Sequence, residues 1–371
     1  PKRKFQKFSK PAGAKASPNQ HSLLGGTVVV DVLAIYTEKA RKIVGAMNRE
    51  PNRHEHIKNL YQSYIEIANT ALKDSGVDVR FNVVHKEQID FEELEEASAL
   101  SDSLSHMSDD SDGIMDEISD LKKLYKPDLV SLVVATKFGK SWDRWRQESY
   151  DGFWRGLADV PTELAHFKED LLYSTINVAF ENNVYDEVGD HSLAHELGHN
   201  FGCGHDRPTH TENNDYDLIY EYAYGHRFKV KGPRGDEVFC NTIMAYQTEP
   251  SDEKVGYFSN PDVKYLKVPT GVKEGRSDSA NNAKVIHLTA PFVANINGGE
   301  VAQNQPPVIV ETYPADGAVV DKSAEGYIIF HDPDGEVESL KLDYQDKATT
   351  KISWIQQASG YWKYEMNWGD L

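Results

Sequence analysis

The sequence predicts an α/β (α+β) domain built on a mixed twisted sheet, with a small all-β sandwich behind it. Three observations lead there. Short apolar runs rich in β-branched residues alternate with longer stretches of helical periodicity over residues 26–296. Gly298-Gly299 and Asn304-Gln305-Pro306-Pro307 then have the composition of a linker. Beyond Pro307 the apolar period becomes two. At 371 residues the chain also exceeds what one hydrophobic core usually supports.

Residues 26–36 (GTVVVDVLAIY) read as a buried strand, because the run is rich in β-branched residues and little interrupted. Helices follow over Glu38–Met47 and His54–Ser75; in the second, Leu60, Tyr64, Ile67, Ala68 and Leu72 fall on one stripe and Gly76 is a stop signal. Val77–Val84 alternates as a strand does. Glu87–Asp120 is acidic and Ser-rich, with short helical patterns whose charges face solvent. Asp128–Ala135 is a second buried strand. Lys137–Pro161 breaks the regularity with Trp142, Trp145, Tyr150, Phe153 and Trp154, which pack a long loop or line a cleft. Ser174–Phe180 is a short strand, His191–Phe201 a helix, and Ser279–Ile296 a last helix.

The domains therefore read as a basic tail or pro-segment remnant over 1–24, a main domain over 25–299, a linker over 300–307 and the sandwich over 308–371. Its alternating runs, separated by turns such as Asp332-Pro333-Asp334-Gly335, describe an immunoglobulin-like fold. The span is short for such a fold, so a truncated sandwich is expected.

The formal net charge of −19 disfavours a nucleic-acid partner, since phosphate contacts need a positive face. No stretch approaches the roughly 18 apolar residues of a membrane span. The tail, basic through Lys2, Arg3 and Lys4, lacks the apolar segment of a signal peptide, so any export signal is expected to be gone already. A monomer is the expected state.

The chemistry concentrates in His195-Glu196-Leu197-Gly198-His199-Asn200-Phe201-Gly202-Cys203-Gly204-His205-Asp206. On a helix, residues four apart share a face, so His195 and His199 reach one zinc ion. Glu196 lies beside them, placed to contact water rather than metal. Gly202 tolerates the positive φ that ends the helix and turns the chain, bringing His205 in as third ligand. Three ligands leave a position open, as a catalytic zinc site requires. His-Glu-x-x-His alone arises by chance in roughly one chain in a hundred of this size. Gly202, His205 and Asp206 at fixed offsets lower that by about four orders of magnitude, which sets aside the reading of satisfied core histidines.

This extended pattern resembles the metzincin clan of zinc peptidases. Asn241-Thr242-Ile243-Met244-Ala245-Tyr246 is similar to the clan's Met-turn, which places Met244 beneath the metal. Asp206 after the third histidine resembles the adamalysin (reprolysin) group, where it is a structural anchor. Val28–Arg41, Tyr257–Gly271 and Ser277–Asn282 resemble bacterial reprolysin-like peptidases, some of which cut beside acidic residues. The resemblance covers residues 25–299.

It implies further roles. Animal adamalysins carry proline shortly after the methionine; here Tyr246 follows, similar to astacins and serralysins, where a tyrosine stabilises the tetrahedral intermediate. Gly156-Leu157-Ala158 resembles the edge strand that pairs with an extended substrate. If the third-ligand turn and the Met-turn stack as in metzincins, Cys203 and Cys240 are neighbours. A disulfide there adds about 3.5–4 kcal/mol in the chain-entropy estimate and implies an oxidising compartment. His191 reads as a supporting or packing residue, as do His226 and Arg227, which stand near enough in sequence to contact substrate. Gln247–Pro261 is expected to wall the primary specificity pocket. Calcium is a further cofactor that the Asp and Asn content allows, though no EF-hand spacing is present.

The expected function is that of a secreted, extracellular zinc metalloendopeptidase of bacterial type, cutting protein or peptide substrates by a zinc-activated water with Glu196 as general base and acid. Two other readings stay open: a zinc-stabilised non-catalytic binding protein, and a zinc hydrolase of a non-peptide amide.

Overall fold

Chain order begins β1 (Val28–Tyr36), α1 (Glu38–Asn48), α2 (Arg53–Asp74), β2 (Val79–Gln88), α3 (Ala99–Ser108), α4 (Glu117–Tyr125) and β3 (Leu129–Val134). It continues with β4 (Lys140–Asp143), β5 (Glu148–Asp151), β6 (Gly156–Ala158), α5 (His166–Glu169), β7 (Leu172–Asn177), α6 (Ser192–Asn200), β8 (Gly204–Asp206) and α7 (Arg207–Glu212). Then come β9 (Tyr224–Gly225), β10 (Arg227–Lys231), β11 (Glu237–Asn241), β12 (Glu253–Lys254), β13 (Lys264–Tyr265), β14 (Val268–Pro269) and α8 (Asn282–Val293). This computed structural model describes residues 27–48, 53–94, 98–136, 140–143, 148–151, 156–163, 166–169, 172–178, 191–212, 217–232, 235–248, 252–294, 296 and six strands within 308–367. The tail over 1–24 and the linker over 300–307 lie outside the described residues, as do Trp145, Phe153 and Trp154.

The chain divides into two units, residues 1–162 with 166–297, and 163–165 with 298–371. In the first, a five-stranded sheet runs in the order β2-β1-β3-β7-β6. Four strands are parallel and β6 alone is antiparallel, against β7, so the sheet is mixed as expected. Its inner strands are apolar without alternation because both faces are covered: every residue of β3 and β7 is buried. On one face Leu33, Ile35, Val130, Leu132 and Val134 pack with Leu100 and Met107 of α3 and Ile118 and Leu121 of α4. Each such side chain contributes roughly 1.5–3 kcal/mol on burial. The other face carries α6, which packs against β6, β7 and α2.

Helix α2 buries Ile57, Tyr61, Tyr64, Ile65, Ala68, Ala71 and Leu72, so its apolar stripe is rotated from the expected one and leaves Leu60 and Ile67 at the margin. The amide of Asn69 on this helix donates to the Phe81 carbonyl (3.0 Å) and accepts from the Phe81 N–H (2.7 Å). One edge of the sheet is thereby closed by a side chain. At the other edge, β6 has no strand neighbour beyond it among the described residues.

The second unit contains β15 (Val308–Tyr313), β16 (Glu325–His331), β17 (Leu342–Tyr344), β18 (Lys347–Thr349), β19 (Ile355–Gln356) and β20 (Tyr361–Asn367). Its strands form a four-stranded antiparallel sheet, β15-β16-β20-β19, and a β17-β18 hairpin. The Asp332–Gly335 turn lies outside the described residues. No described helix is long and apolar enough to cross a membrane.

Candidate active site

Helix α6 is short because the sequence stops it. Gly202 has φ +87°, and its N–H donates to the His199 carbonyl (2.7 Å) while the Cys203 N–H donates to that of Gly198 (3.1 Å). These two bonds are a Schellman cap, which satisfies the last carbonyls and reverses the chain. The turn delivers β8, whose central residue is His205. Nε2 of His205 then stands 3.1 Å from that of His199 and 3.2 Å from that of His195.

The tautomers follow from the partners. Nδ1 of His195 lies 2.8 Å from the Ile243 carbonyl and Nδ1 of His199 lies 2.7 Å from that of Cys203. A carbonyl only accepts, so both Nδ1 atoms carry hydrogen and both Nε2 atoms present lone pairs. Burial lowers all three imidazole pKa values. His199 is held at about 4 and His205 at about 2, the latter helped by His199, His210 and Lys254. His195 falls well below its ordinary value through burial and the charges of His199, His205 and Lys254. Neutral imidazoles with converging lone pairs repel one another unless a cation sits between them. Nitrogens bound to one tetrahedral zinc at about 2.0–2.1 Å stand about 3.3–3.4 Å apart. The spacing here fits that ion. Among the described residues these histidines form the one group of His, Cys, Asp and Glu side chains close enough to share a metal.

Glu196 is buried on the same helix, against β6. A Cβ at Gly156 would lie 2.6 Å from both Cγ and Cδ of Glu196, so only glycine lets this strand pass the carboxylate. Side chains alternate along a strand, so Leu157 points oppositely and joins the cluster under α3 and α4. Gly156, Leu157 and Ala158 pair with Ile176, Thr175 and Ser174 of β7. Asn200 fixes the helix to this part of the sheet, its amide donating to the Asp159 and Tyr173 carbonyls, both at 3.0 Å.

The floor of the site is the turn at Thr242–Tyr246. Met244 is fully buried beneath α6, where a side chain at Gly198 would meet its Sδ at 2.7 Å. Asp206 joins the third-ligand strand to this turn: one oxygen accepts from the Tyr246 N–H (2.9 Å) and the Thr209 hydroxyl (2.9 Å). His226 holds the turn by its backbone, with its N–H on Thr242 Oγ1 (2.8 Å) and its carbonyl on the Thr242 N–H (3.0 Å). The Tyr246 ring lies 4.5 Å from that of His205 and is 42% exposed.

The expected disulfide is corrected. Cys203 and Cys240 are both free and buried. Although the two turns stack, Cys240 sits on β11 with its side chain on the face opposite Asn241, in a cluster with Phe228, Val230 and Val255. Cys203 instead lies at the start of α8, its thiol 3.7 Å from the Asn282 carbonyl. Burial raises both thiol pKa values, that of Cys240 to about 11, so neither is a ready thiolate.

His191 lies outside the group of three histidines and lines a cavity of about 390 Å³ with Ile67, Thr70 and Tyr257. Arg227 pairs with Asp252 at 2.9 Å. Asn200 and Asn241 lie inside the quoted histidine and Met-turn sequences with no role assigned to them there, and Lys254 belongs to no motif. Only the placement of Lys254 within the expected pocket wall pointed toward it.

A mixed α/β domain whose helix and following turn converge three histidines beside a buried glutamate defines a metallopeptidase. The chain belongs to metallo-peptidase family M12, matching its Reprolysin_5 description over residues 26–259. It is similar to the peptidyl-Asp metalloendopeptidase of Pseudomonas aeruginosa, 25% identical over 280 residues that make up 73% of this chain and 41% of the relative. Similar too are proteins of the same name from Xanthomonas campestris (24% identical, 78% of this chain and 56% of the relative) and Stenotrophomonas maltophilia (24%, 73% and 53%). The chain thus spans about half the length of these curated relatives.

Proposed function

We propose that this chain is a secreted zinc metalloendopeptidase that cuts polypeptides beside aspartate. The observation that carries the reading is the convergence of three neutral imidazole Nε2 atoms next to Glu196, whose carboxylate faces an open sheet edge. His195, His199 and His205 would hold zinc, which when bound would supply Lewis acidity, lowering the pKa of water towards about 7 and polarising a carbonyl.

The chain's own residues do the rest. An extended substrate adds to the outer edge of β6 by main-chain hydrogen bonds, which sets its scissile bond in front of Glu196. Glu196 takes the proton of the attacking water and returns it to the leaving amine. The Tyr246 hydroxyl donates to the developing oxyanion. Asp206 and Met244 keep the ligand strand and the floor in register. The aspartate preference comes from the relatives' name. Secretion rests on the likeness to bacterial reprolysin-like peptidases alone, since two free thiols carry no redox signal. The all-β second unit is read as immunoglobulin-like from its antiparallel strands.

Digestion of an unfolded protein library, with cleavage sites mapped by mass spectrometry, tests this reading. Cuts that flank aspartate and vanish with a zinc chelator are expected. No cuts by the zinc-loaded protein would overturn it, in favour of a non-peptide hydrolase or a binding protein.

A further inference from the structure

The floor turn ends in a peptide group held at its two ends by opposite charges. The N–H of Tyr246 donates to Asp206 Oδ2 (2.9 Å). The carbonyl of the same peptide, that of Ala245, accepts from Lys254 Nζ (3.1 Å). The turn before it is tied by backbone: the Ala245 N–H donates to the Thr242 carbonyl (2.9 Å), and the Ile243 N–H to that of Tyr257 (2.8 Å). At the Ala245–Tyr246 peptide two charged side chains take over.

Strand geometry puts both charges in place. Lys254 of β12 pairs with Asn241 of β11, and the Val255 N–H donates to the Asn241 carbonyl (2.9 Å). The backbone of Lys254 is thereby fixed beside the strand that enters the turn. Val255 lies in the apolar cluster with Cys240, so Lys254, one residue earlier, stands on the other face of this sheet. Asp206 ends β8, one residue after His205. Burial and the neighbouring histidines lower the pKa values of His195 and His205 first, and the Lys254 charge adds to both.

A peptide group is a dipole of about 3.5 D with its positive end at the N–H. A carboxylate accepts and an ammonium donates, so each end meets a charge it can bond. Turned over, the group would aim its carbonyl at Asp206 and its N–H at Lys254, and lose two charge-assisted bonds, each roughly twice as strong as a neutral one. The two charges therefore select one orientation of this peptide, and with it the direction in which Tyr246 leaves the backbone. That direction sets the Tyr246 ring 4.5 Å from His205 and 6.0 Å from His195.

We propose that Lys254 is a positioning residue for Tyr246, acting through the Ala245 carbonyl as the counter-charge to Asp206. This rests on the peptidase reading above, in which the Tyr246 hydroxyl donates to the oxyanion. Lys254 makes no contact with substrate in this assignment. Its effect falls on the transition state, hence on kcat, and disappears once the Tyr246 hydroxyl is removed.

A double-substitution cycle tests it, with zinc content and peptide cleavage measured in the unsubstituted protein, Lys254→Met, Tyr246→Phe and the double variant. Tyr246→Phe should lower kcat about a hundredfold, as loss of an oxyanion donor does. Lys254→Met should lower it about tenfold per zinc-loaded chain with KM little changed, the least that a charge-assisted hydrogen bond gives. The double variant should be no slower than Tyr246→Phe alone. Lys254→Arg, whose guanidinium also donates, should recover most of the loss. In the zinc-free protein, hydrogen exchange at the Tyr246 amide should be about tenfold faster in Lys254→Met, a readout independent of activity. An equal loss from Lys254→Met in the Tyr246→Phe background would overturn the assignment, as would unchanged kcat or unchanged amide exchange in Lys254→Met. Unchanged kcat in Tyr246→Phe would also overturn it while leaving the peptidase intact. No cleavage by the unsubstituted, zinc-loaded protein would remove the peptidase reading itself, and the assignment with it.

Discussion

His195, His199 and His205 come from a single short segment, residues 195–205, whereas the row of Arg227, Asn241 and Lys254 in the β10-β11-β12 sheet is drawn from three strands spread over residues 227–254. The first assembly is set by local geometry: helical spacing places two ligands, and one glycine cap returns the third. The second exists only through strand register, where a slip of one residue would exchange the polar row for Cys240, Phe228 and Val255. Chemistry common to a whole family can sit on the local side.

The sharpest way to break this division is at the place where the local side depends on a distant strand. Gly156→Ala puts a methyl group against the Glu196 carboxylate. It is expected to lower kcat about a hundredfold with zinc content unchanged, as displacement of a catalytic group by about 1 Å does. Unchanged kcat would show that β6 does not position Glu196.

The histidines provide the next test, in the zinc-free protein. His199 binds a proton in the folded state only near pH 4, against about 6.5 when unfolded. As pH falls below about 6.5 the unfolded chain takes up the proton first, so stability present above that pH is lost progressively down to about 4. Thermal denaturation should show the zinc-free protein about 2 kcal/mol less stable at pH 5 than at pH 7 from this group alone. A flat profile would contradict the buried, neutral state of the ligands.

Gly202→Ala forces a side chain into positive φ and to within 2.8 Å of Ile219. A cost of about 1–2 kcal/mol and a fall in Tm of about 2–8 °C are expected, with weaker zinc binding by calorimetry. The smallest effect belongs to the thiols. Reducing agent should leave Tm and activity unchanged, and both cysteines should react with a thiol reagent only after unfolding. A shift in Tm on reduction would restore the disulfide.

The same contrast explains how much was legible in the sequence. The ligand helix and Gly202 follow from short-range spacing, the floor turn and the anchoring of Asp206 from the family resemblance, and the structure brings these residues together. The mixed sheet was legible from unbroken apolar runs. The Cys203–Cys240 pairing was not, because proximity of two turns does not determine which face of β11 a side chain takes. The stripe of α2 was shifted for a related reason: the period of Leu60, Tyr64 and Ile67 is helical, but the sheet and α6 select a neighbouring stripe through Tyr61 and Ile65. Lys254 carries no motif, and Asn241 stands in the Met-turn sequence with no role assigned to it there. Their alignment across β11 and β12 appears only through strand pairing.

The central claim is that three histidines hold the metal while Glu196 moves the proton. Zinc content and peptide cleavage measured together in the unsubstituted protein and in Glu196→Gln test it most directly. The account predicts one zinc per chain in both, with cleavage by Glu196→Gln reduced about 10²–10⁴-fold, the usual contribution of a general base. A zinc-loaded Glu196→Gln that still cleaves within tenfold of the unsubstituted protein would contradict it.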